Sequence, residues 1–338
     1  MKRLDGTWEI FDDYVIDFAL DRMRDGERVA IVTLVKIEGS SPRPLGAQMA
    51  VSESGNWVGY LSGGCIERAI VNEALAAMEL GKSRLVRYGR GSDFIDIQLP
   101  CGSAIELFFD VDRTQHELTA IDESLHRRQS GRMSICDKSL GHFAEPIVRS
   151  YQPRRRLIVA GIGPVAIQLA KLARLASFDV RLHSPDTGTR AAVQDNDIGT
   201  ITIASTAEVP NFSADRRSAI VFAFHDHEWE RSLIPAALHT NAFYIGAMGS
   251  RQTHQRRLRM LREDGVDPLL LCRIHGPAGL FSGGKTAPDI AMSILAEVMQ
   301  VARNKDIPDI EFVQSGRSAS ADLRNGIPLS RDGNVRRA

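Results

Sequence analysis

The feature that most constrains the fold of this 338-residue chain is an apolar strand that leads through a glycine turn into a helix. The residues Leu157-Ile158-Val159-Ala160 are all apolar, as strands buried within a parallel sheet are. The turn Gly161-Ile162-Gly163-Pro164-Val165-Ala166 follows, and then a helical pattern and a second strand. This order is the G-x-G-x-x-A dinucleotide fingerprint in the context that it requires. Gly161 and Gly163 would let a ligand approach the backbone, with its phosphate at the helix N-terminus.

One part of the usual fingerprint is missing. Dinucleotide-binding units normally carry an acidic residue at the end of the second strand, where it binds the ribose. Ser184 stands near that position, and Asp186 comes two residues later. NAD(P) is therefore not the cofactor that the sequence favours.

Further strand–turn–helix units follow, and they predict a C-terminal Rossmann-like, doubly wound parallel sheet over residues 151–305. One strand leads to His225-Asp226-His227, which has the residue types of a metal site. Such a string more often forms a loop at the carboxyl end of a strand, and we favour that interpretation. Another strand ends at Gly249-Ser250-Arg251, before an arginine-rich helix, and these residues are a candidate second anion site.

The segment from Gly279 to Thr286 matches the G-x-x-x-x-G-K-T phosphate-loop pattern. No apolar strand precedes it, because the preceding residues read Arg273-Ile-His-Gly-Pro-Ala. We therefore interpret it as a glycine turn that places Lys285 near an anionic ligand, and not as the loop of an ATPase.

A second α/β domain is predicted over residues 1–150, with a polar, flexible tail over 306–338. A hairpin in this N-terminal domain leads to Ser62-Gly63-Gly64-Cys65, and a helix follows up to Gly81. Cys65 would lie in the first turn of that helix, where a thiol loses its proton more easily. The alternative is a small apolar residue that fills a tight turn.

Three other residues accompany this turn. Arg43 lies on a rigid loop rich in glycine and proline, either as a surface charge or as an anion contact. Cys101 precedes a glycine at the start of a strand, so it and Cys65 are candidates for one shared site. Glu67 is interpreted as an exposed acid favoured by the helix dipole.

The composition excludes several classes of protein. Lys+Arg and Asp+Glu balance at 42 each, which gives no electrostatic case for nucleic acid or an anionic membrane. The 4 cysteines form no CxxC pair, and neither a membrane span nor a secretory leader is indicated. We expect a cytoplasmic protein with reduced thiols, and a homodimer is compatible with its apolar faces.

Together, these loops resemble the XdhC/CoxI family of xanthine dehydrogenase accessory proteins. The resemblance runs from about Val29 to Arg303 and rests on motifs that occur in order: Gly39-Ser40-Ser41-Pro42-Arg43, Ser62-Gly63-Gly64-Cys65-Ile66-Glu67, Pro100-Cys101-Gly102, Gly161-Ile162-Gly163, His225-Asp226-His227, Gly249-Ser250-Arg251, Ile274-His275-Gly276-Pro277 and Ser293-Ile294-Leu295-Ala296-Glu297. The chain departs from the family pattern at Ser103, Ser184 and Lys285-Thr286-Ala287.

The resemblance implies an accessory factor for molybdenum hydroxylases rather than a turnover enzyme. Such factors bind molybdenum cofactor, as molybdopterin or its cytosine dinucleotide, assist its sulfuration and deliver it to an apo-molybdoenzyme. A cysteine desulfurase would supply sulfur, and a cofactor nucleotidyltransferase is a further expected partner. Arg43, Gly63, Gly64, Gly161, Gly163, Gly249, Ser250, Arg251 and Lys285 are the expected cofactor-binding residues. Cys65 would act as a molybdenum ligand or, with Cys101, in sulfur handling.

The alternative is an NAD(P)-dependent oxidoreductase that uses the Rossmann-like domain with His225 or His275 as its catalytic residue. The absence of an acidic residue at Ser184 counts against this alternative.

Overall fold

The structure, a computed structural model, describes residues 7–64, 66–92, 103–135, 147–207, 209–281, 283–305, 307 and 310–314, without the side chains of His227 and 310–314. Its helices are α1 (Ile16–Arg24), α2 (Glu67–Leu80), α3 (Gln115–His126), α4 (Pro164–Leu175), α5 (Thr187–Ala191), α6 (His227–Leu238), α7 (Arg251–Glu263), α8 (Pro268–Leu271) and α9 (Ala287–Asn304). Across these described ranges, no helix is long and apolar enough to cross a membrane.

The strands are β1 (Val29–Glu38), β2 (Gln48–Ser52), β3 (Trp57–Gly59), β4 (Arg84–Gly89), β5 (Ala104–Asp110), β6 (Gly131–Ile135), β7 (Ile147–Tyr151), β8 (Arg156–Gly161), β9 (Asp179–Ser184), β10 (Gly199–Thr202), β11 (Ser218–Ala223), β12 (Tyr244–Ala247), β13 (Ile274–His275) and β14 (Ile310–Gln314). Contacts divide the chain into two compact units, one with residues 19–151 and 310–338 and one with residues 1–18 and 152–309.

The first unit is built on a five-stranded antiparallel sheet in the order β3-β2-β1-β5-β4. Helix α2 packs Ile70, Ala74 and Met78 against one face of this sheet. On the other face, Val35 and Phe108 meet Ile135 and Ile147 of a second sheet. Because both faces are covered, the first seven residues of β1 are all buried, which explains its continuous apolar sequence.

The second sheet of this unit has the order β14-β7-β6. Its outer strand comes from the segment that was expected to be a flexible tail, so that expectation is wrong for residues 310–314. Strand β14 pairs antiparallel with β7, with Ile310 opposite Tyr151. The edge of β7 would otherwise expose unpaired backbone groups, and pairing across some 160 residues of sequence is not visible in a local pattern.

The second unit is built on a six-stranded parallel sheet in the order β10-β9-β8-β11-β12-β13. One face packs against α4 and α9, and the opposite face against α6 and α7. This doubly wound arrangement confirms the predicted Rossmann-like class. Counting along the chain from β8, the strand order is 3-2-1-4-5-6, so the direction of winding reverses between β8 and β11.

The start of the chain differs from the expected boundary at residue 150, because residues up to Phe18 belong to the second unit. The guanidinium of Arg154 forms a two-pronged ion pair with Asp12, at 2.9 and 2.6 Å, and lies 3.8 Å from the ring centroid of Tyr14. The Tyr14 hydroxyl donates to the carbonyl of Gln152 at 2.7 Å. These contacts fix the segment before α1, which begins at Ile16, against the start of the second unit's main segment.

Candidate functional site

The carboxyl edge of the parallel sheet collects most of the motifs found in the second unit. In open α/β sheets, ligands bind at this edge, where the order of strands reverses. The reversal lies between β8, which ends at Gly161, and β11, which ends at Ala223. Gly161 and Gly163, at and just after the end of β8, and His225, after the end of β11, therefore lie on the two strand ends that flank the expected crevice.

Gly161 and Gly163 serve different structural purposes. A Cβ at Gly161 would lie 2.6 Å from the carbonyl oxygen of Ala223, so the close approach of β8 and β11 excludes any side chain there. Gly163 has a φ of +81°, and a Cβ at this position would have nothing within 4 Å. Open space at the N-cap of α4 is what a ligand that approaches the backbone requires.

Helix α4 also differs from the neighbouring helices in how the backbone amides of its first turn are hydrogen-bonded. Asp186, Asp226, Ser250 and Thr286 cap α5, α6, α7 and α9 with side-chain hydrogen bonds. For α4, by contrast, no described side chain provides a cap, and Pro164 occupies the first turn. Its remaining amides and the positive end of its dipole suit an anionic group.

The turn after β9 lies where dinucleotide-binding domains carry the acidic residue that binds the ribose. Ser184 is fully buried at the end of the strand. The exposed carboxylate of Asp186 accepts hydrogen bonds from the amide and hydroxyl of Thr189, both at 2.6 Å, which hold its pKa below the ordinary value. Thr189 in turn accepts from the Gly163 amide at 2.9 Å. Asp186 therefore organises the glycine turn through Thr189.

The segment Gly249-Ser250-Arg251 links the end of β12 to the first residue of α7. The Ser250 hydroxyl accepts from the Thr253 amide at 3.0 Å, and a Cβ at Gly249 would lie 2.7 Å from Thr253. Arg251 is exposed. Further along α7, Arg257 is fully buried, pairs with Glu230 and donates to the carbonyl of Met248 at 2.6 Å. The end of β12 is therefore held rigidly against α6 and α7.

The segment that matches a phosphate loop is used to dock α9. The amide of Gly279 donates to Glu297 at 2.6 Å, and the amide of Phe281 donates to the Ser293 hydroxyl at 3.0 Å. In a phosphate loop such amides point at the ligand. The structure agrees with the interpretation that the Walker pattern is accidental. Lys285 is exposed on this loop.

In the segment His225-Asp226-His227 after β11, the central residue has a structural role. Asp226 caps α6 by accepting from the Glu228 amide at 3.0 Å. Among the side chains that the structure describes, no group of three His, Cys, Asp or Glu residues could hold a metal ion. The side chain of His227 lies outside them.

In the first unit, Glu67 organises the turn that carries Gly63 and Gly64. Its carboxylate accepts from the Ser62 amide at 2.9 Å, the Ser62 hydroxyl at 2.7 Å and the amides of Leu61 and Ile66, each at 3.2 Å. Burial raises the pKa of Glu67, but these hydrogen bonds outweigh it and hold the pKa below its ordinary value. The interpretation of Glu67 as an exposed acid is wrong, because the residue is only 5% exposed.

The two glycines of this turn have positive φ values of 83° and 108°, are exposed, and have nothing within 4 Å of a notional Cβ. Arg43, from the loop between β1 and β2, is buried nearby in the same unit. Its guanidinium lies 4.1 Å from the ring centroid of Tyr60 and donates to the Tyr60 hydroxyl at 3.0 Å. This contact brings the Arg43 loop beside the segment that enters the glycine turn.

Cys65 and Cys101 themselves lie outside the described residues. Strands β1, β4 and β5 meet at one end of the sheet, since Glu38 and Gly89 both pair with Ala104, whereas β3 stops short of that end, with Gly59 opposite Met49. A Cβ at Gly39 would lie 3.2 Å from the Cβ of Ser103, so the Arg43 loop also contacts the start of β5.

Sequence reasoning missed two features of these sites. Thr189 was not identified, although Asp186 is a typical N-cap residue and its side chain accepts from the amide three residues later, that of Thr189. The contact between Glu297 and Tyr244 joins residues 53 apart, and no local signal indicates it.

Comparison with known proteins supports the resemblance noted above. Residues 157–298 match the model described as the XdhC Rossmann domain, and residues 23–89 match that of the XdhC and CoxI family. The chain is 32% identical over 308 residues to the molybdenum cofactor insertion chaperone PaoD of Escherichia coli, spanning 87% of this chain and 91% of that protein. It is 24% identical to a probable xanthine dehydrogenase subunit of Bacillus subtilis, spanning 83% and 95% of the two chains.

Among solved structures, a xanthine dehydrogenase from Bacillus halodurans has a similar fold, with a TM-score of 0.71 and 21% identity over 86% of this chain and 96% of that one. This likeness concerns the fold alone. The extent of the match to PaoD and the two family models show that the chain belongs to the XdhC/CoxI family.

Proposed function

We propose that this chain is a chaperone that binds molybdenum cofactor and inserts it into an apo-molybdoenzyme of the xanthine dehydrogenase or aldehyde oxidoreductase type. The observation that carries the proposal is the similarity to PaoD along 87% of the chain. It agrees with an architecture that places glycine turns at the carboxyl edge of a parallel sheet.

The residues at the edge of the parallel sheet fit a phosphate of this cofactor. The positive φ of Gly163, the open space at its Cβ position and the absence of a described side-chain cap on α4 provide amides and room for an anion. Gly249, Ser250, Arg251 and Lys285 lie at the ends of neighbouring elements and would extend the contacts to a second phosphate. Molybdopterin needs one such contact, whereas its cytosine dinucleotide needs two.

The thiol chemistry is the finer part of the proposal. Cys65, supported by Cys101, would bind molybdenum or carry sulfur from a cysteine desulfurase during sulfuration, the cofactor itself supplying the redox-active metal. Support comes from the residues that flank Cys65, because Glu67 ties Ser62 and Ile66 together and leaves Gly63 and Gly64 exposed. A soft thiolate ligand suits molybdenum, and a restrained turn would present it reproducibly.

The first test measures cofactor retention. We expect the purified protein to retain molybdopterin, detected by fluorescence after oxidation, and Gly163→Ala to lower retention roughly tenfold, the equivalent of about 1.4 kcal/mol. Gly265→Ala is the control, since Gly265 has a φ of +83° and equally open space but lies in a different turn, after α7. NAD(P) binding with turnover of an alcohol or carbonyl compound, and no retained pterin, would overturn the proposal.

The second test addresses the thiol. Activation of an apo-molybdoenzyme is measured with Cys65→Ala and with Cys272→Ala, an exposed cysteine at the end of α8. Loss of activation with Cys65→Ala alone supports the thiol role. Full activation with both variants would refute the thiol role. The cofactor-binding part of the proposal would then be decided by the first test alone.

A further inference from the structure

A half-buried carboxylate joins three elements at the carboxyl edge of the parallel sheet. Glu297 of α9 accepts a hydrogen bond from the Tyr244 hydroxyl at 2.7 Å and from the Gly279 amide at 2.6 Å. Its other oxygen lies 3.4 Å from Nδ1 of His275, the last residue of β13. The rings of Tyr244 and His275 contact each other at 4.5 Å between centroids.

The sheet is adapted to hold this cluster. Gly246 pairs with His275 across the two strands, and a Cβ at Gly246 would lie 2.5 Å from the ring of Tyr244. The glycine therefore lets the tyrosine ring lie flat along its own strand and reach His275. Tyr244 is 1% exposed, whereas the His275 side chain keeps 33% exposure. The imidazole is the most exposed group of this cluster, since the Glu297 side chain is 17% exposed.

The proton positions in the cluster follow from its burial. Burial and the neighbouring Glu297 raise the pKa of Tyr244, so its hydroxyl remains a donor. Burial raises the pKa of Glu297, but its three partners, His275 first, outweigh this and hold the pKa below its ordinary value. An ionised carboxylate can only accept, so we assign the proton of the neutral imidazole to Nδ1 of His275, which lies 3.4 Å from the carboxylate. In the neutral imidazole, Nε2 is then an acceptor on the opposite side of the ring.

We propose that His275 is a ligand-binding residue of this edge, whose Nε2 accepts a hydrogen bond from an N–H or O–H group of the bound pterin cofactor, and that Glu297 and Tyr244 position it. The inference rests on the proposed function and deepens it. Histidines that bind ligands or metals typically donate their other ring nitrogen to a carboxylate, which sets tautomer and orientation. The Gly249 turn at the end of the adjacent strand places this acceptor beside the proposed phosphate contacts.

The first measurement needs no ligand. Nitrogen-15 NMR of histidine-labelled protein is expected to show His275 protonated on Nδ1 in its neutral form. Glu297→Gln introduces an amide that can donate, and we expect the tautomer to shift toward Nε2–H, while Tyr244→Phe keeps it on Nδ1. An Nε2–H tautomer in the unmodified protein would overturn the inference.

The second measurement uses molybdenum cofactor released from a purified molybdoenzyme under anaerobic conditions. We expect His275→Ala and Glu297→Gln each to weaken binding by the folded protein about five- to tenfold, the range for one hydrogen bond. His239→Gln, an exposed histidine at the end of α6, is the control and should bind normally. On addition of cofactor, the Nε2 resonance of His275 should shift.

The outcomes separate the two proposals. Normal binding by His275→Ala, without a shift of the His275 resonance in the unmodified protein, overturns the role of His275 and leaves the chaperone function intact. Absence of cofactor binding by the unmodified protein overturns both. A purely structural role for His275 would lower stability but leave the affinity of the folded protein unchanged.

Discussion

The Ser62 hydroxyl donates to the carboxylate of Glu67 at 2.7 Å and accepts from the Ile66 amide at 3.1 Å, which closes the turn on both sides of the position of Cys65. The amides near the start of α2 therefore already face a carboxylate. The ionised carboxylate of Glu67 repels a second negative charge, so the N-terminus of α2 favours a thiolate less than a helix start without a carboxylate would.

The first prediction concerns the stability of this turn. Glu67→Ala removes the acceptor for the amides of Leu61, Ser62 and Ile66, and we expect it to lower the free energy of unfolding by about 2–4 kcal/mol. Glu67→Gln keeps one carbonyl acceptor and should cost about 1 kcal/mol. Urea unfolding measures both, with the exposed Glu79→Ala on the same helix as the control. Equal stability of Glu67→Ala and Glu79→Ala would contradict the proposed restraint.

The second prediction concerns His183, which lies on β9 with 1% exposure and stacks on Phe212 at 5.5 Å. Within the described residues, its Nδ1 has no hydrogen-bond partner. Burial, with a smaller contribution from Arg181, lowers its pKa from 6.5 to about 4. As the pH falls from about 6.5 toward 4, the unfolded chain therefore binds a proton at His183 that the folded protein does not bind.

Folding stability should consequently be fully retained above about pH 6.5 and should decline toward pH 4, with His183 contributing a loss of about 3 kcal/mol. His183→Phe should flatten this part of the stability curve measured by urea unfolding at several pH values. His239→Gln should leave its shape unchanged, since that side chain is exposed. A His183→Phe curve parallel to that of the unmodified protein would show that the buried imidazole does not cause the decline.

The third prediction concerns the ion pair between Glu230 and Arg257, whose side chains are both fully buried and joined by hydrogen bonds of 2.8 and 2.9 Å. Arg257→Ala leaves a buried carboxylate uncompensated and should cost about 3–5 kcal/mol. Arg256→Ala on the exposed side of the same helix should change stability by less than about 0.5 kcal/mol.

The double substitution Glu230→Leu with Arg257→Met tests the cause of that loss. It removes both charges and fills a similar volume, so it should be more stable than Arg257→Ala alone. Thermal unfolding of the four proteins provides the comparison. A double variant no more stable than Arg257→Ala would mean that packing, and not the unpaired charge, dominates the effect.

Local sequence patterns predicted the parallel sheet well because its signals are short-range. The apolar run from Leu157, the two glycines and the following helix lie within about twenty residues, and each has a steric reason that the structure reproduces. The positive φ of Gly163 and the close packing of Gly161 on Ala223 are examples. The β-hairpin and the end of α2 at Gly81, which has φ 61°, were predictable for the same reason.

Features set by distant partners were not predictable in this way. The burial of Asp12 depends on Arg154, and the strand at residues 310–314 depends on the edge of β7. The role of Glu67 was misread even though its partners are close in sequence, because its burial depends on how the whole turn packs against the sheet. A carboxylate at a helix start has the same local pattern whether it faces water or its own turn.

The sequence by itself determined the class of fold, the two sets of glycine turns and the family to which the chain belongs, because these depend on local sterics and on motifs that occur in a fixed order. Only the tertiary structure decided which carboxylates are structural. Glu67 closes the turn that carries Gly63 and Gly64. Asp186 supports Gly163 through Thr189, and Glu297 orients His275. Hydrogen-bond partners assign these roles, together with burial for Glu67, and the linear pattern does not show which partner each carboxylate meets.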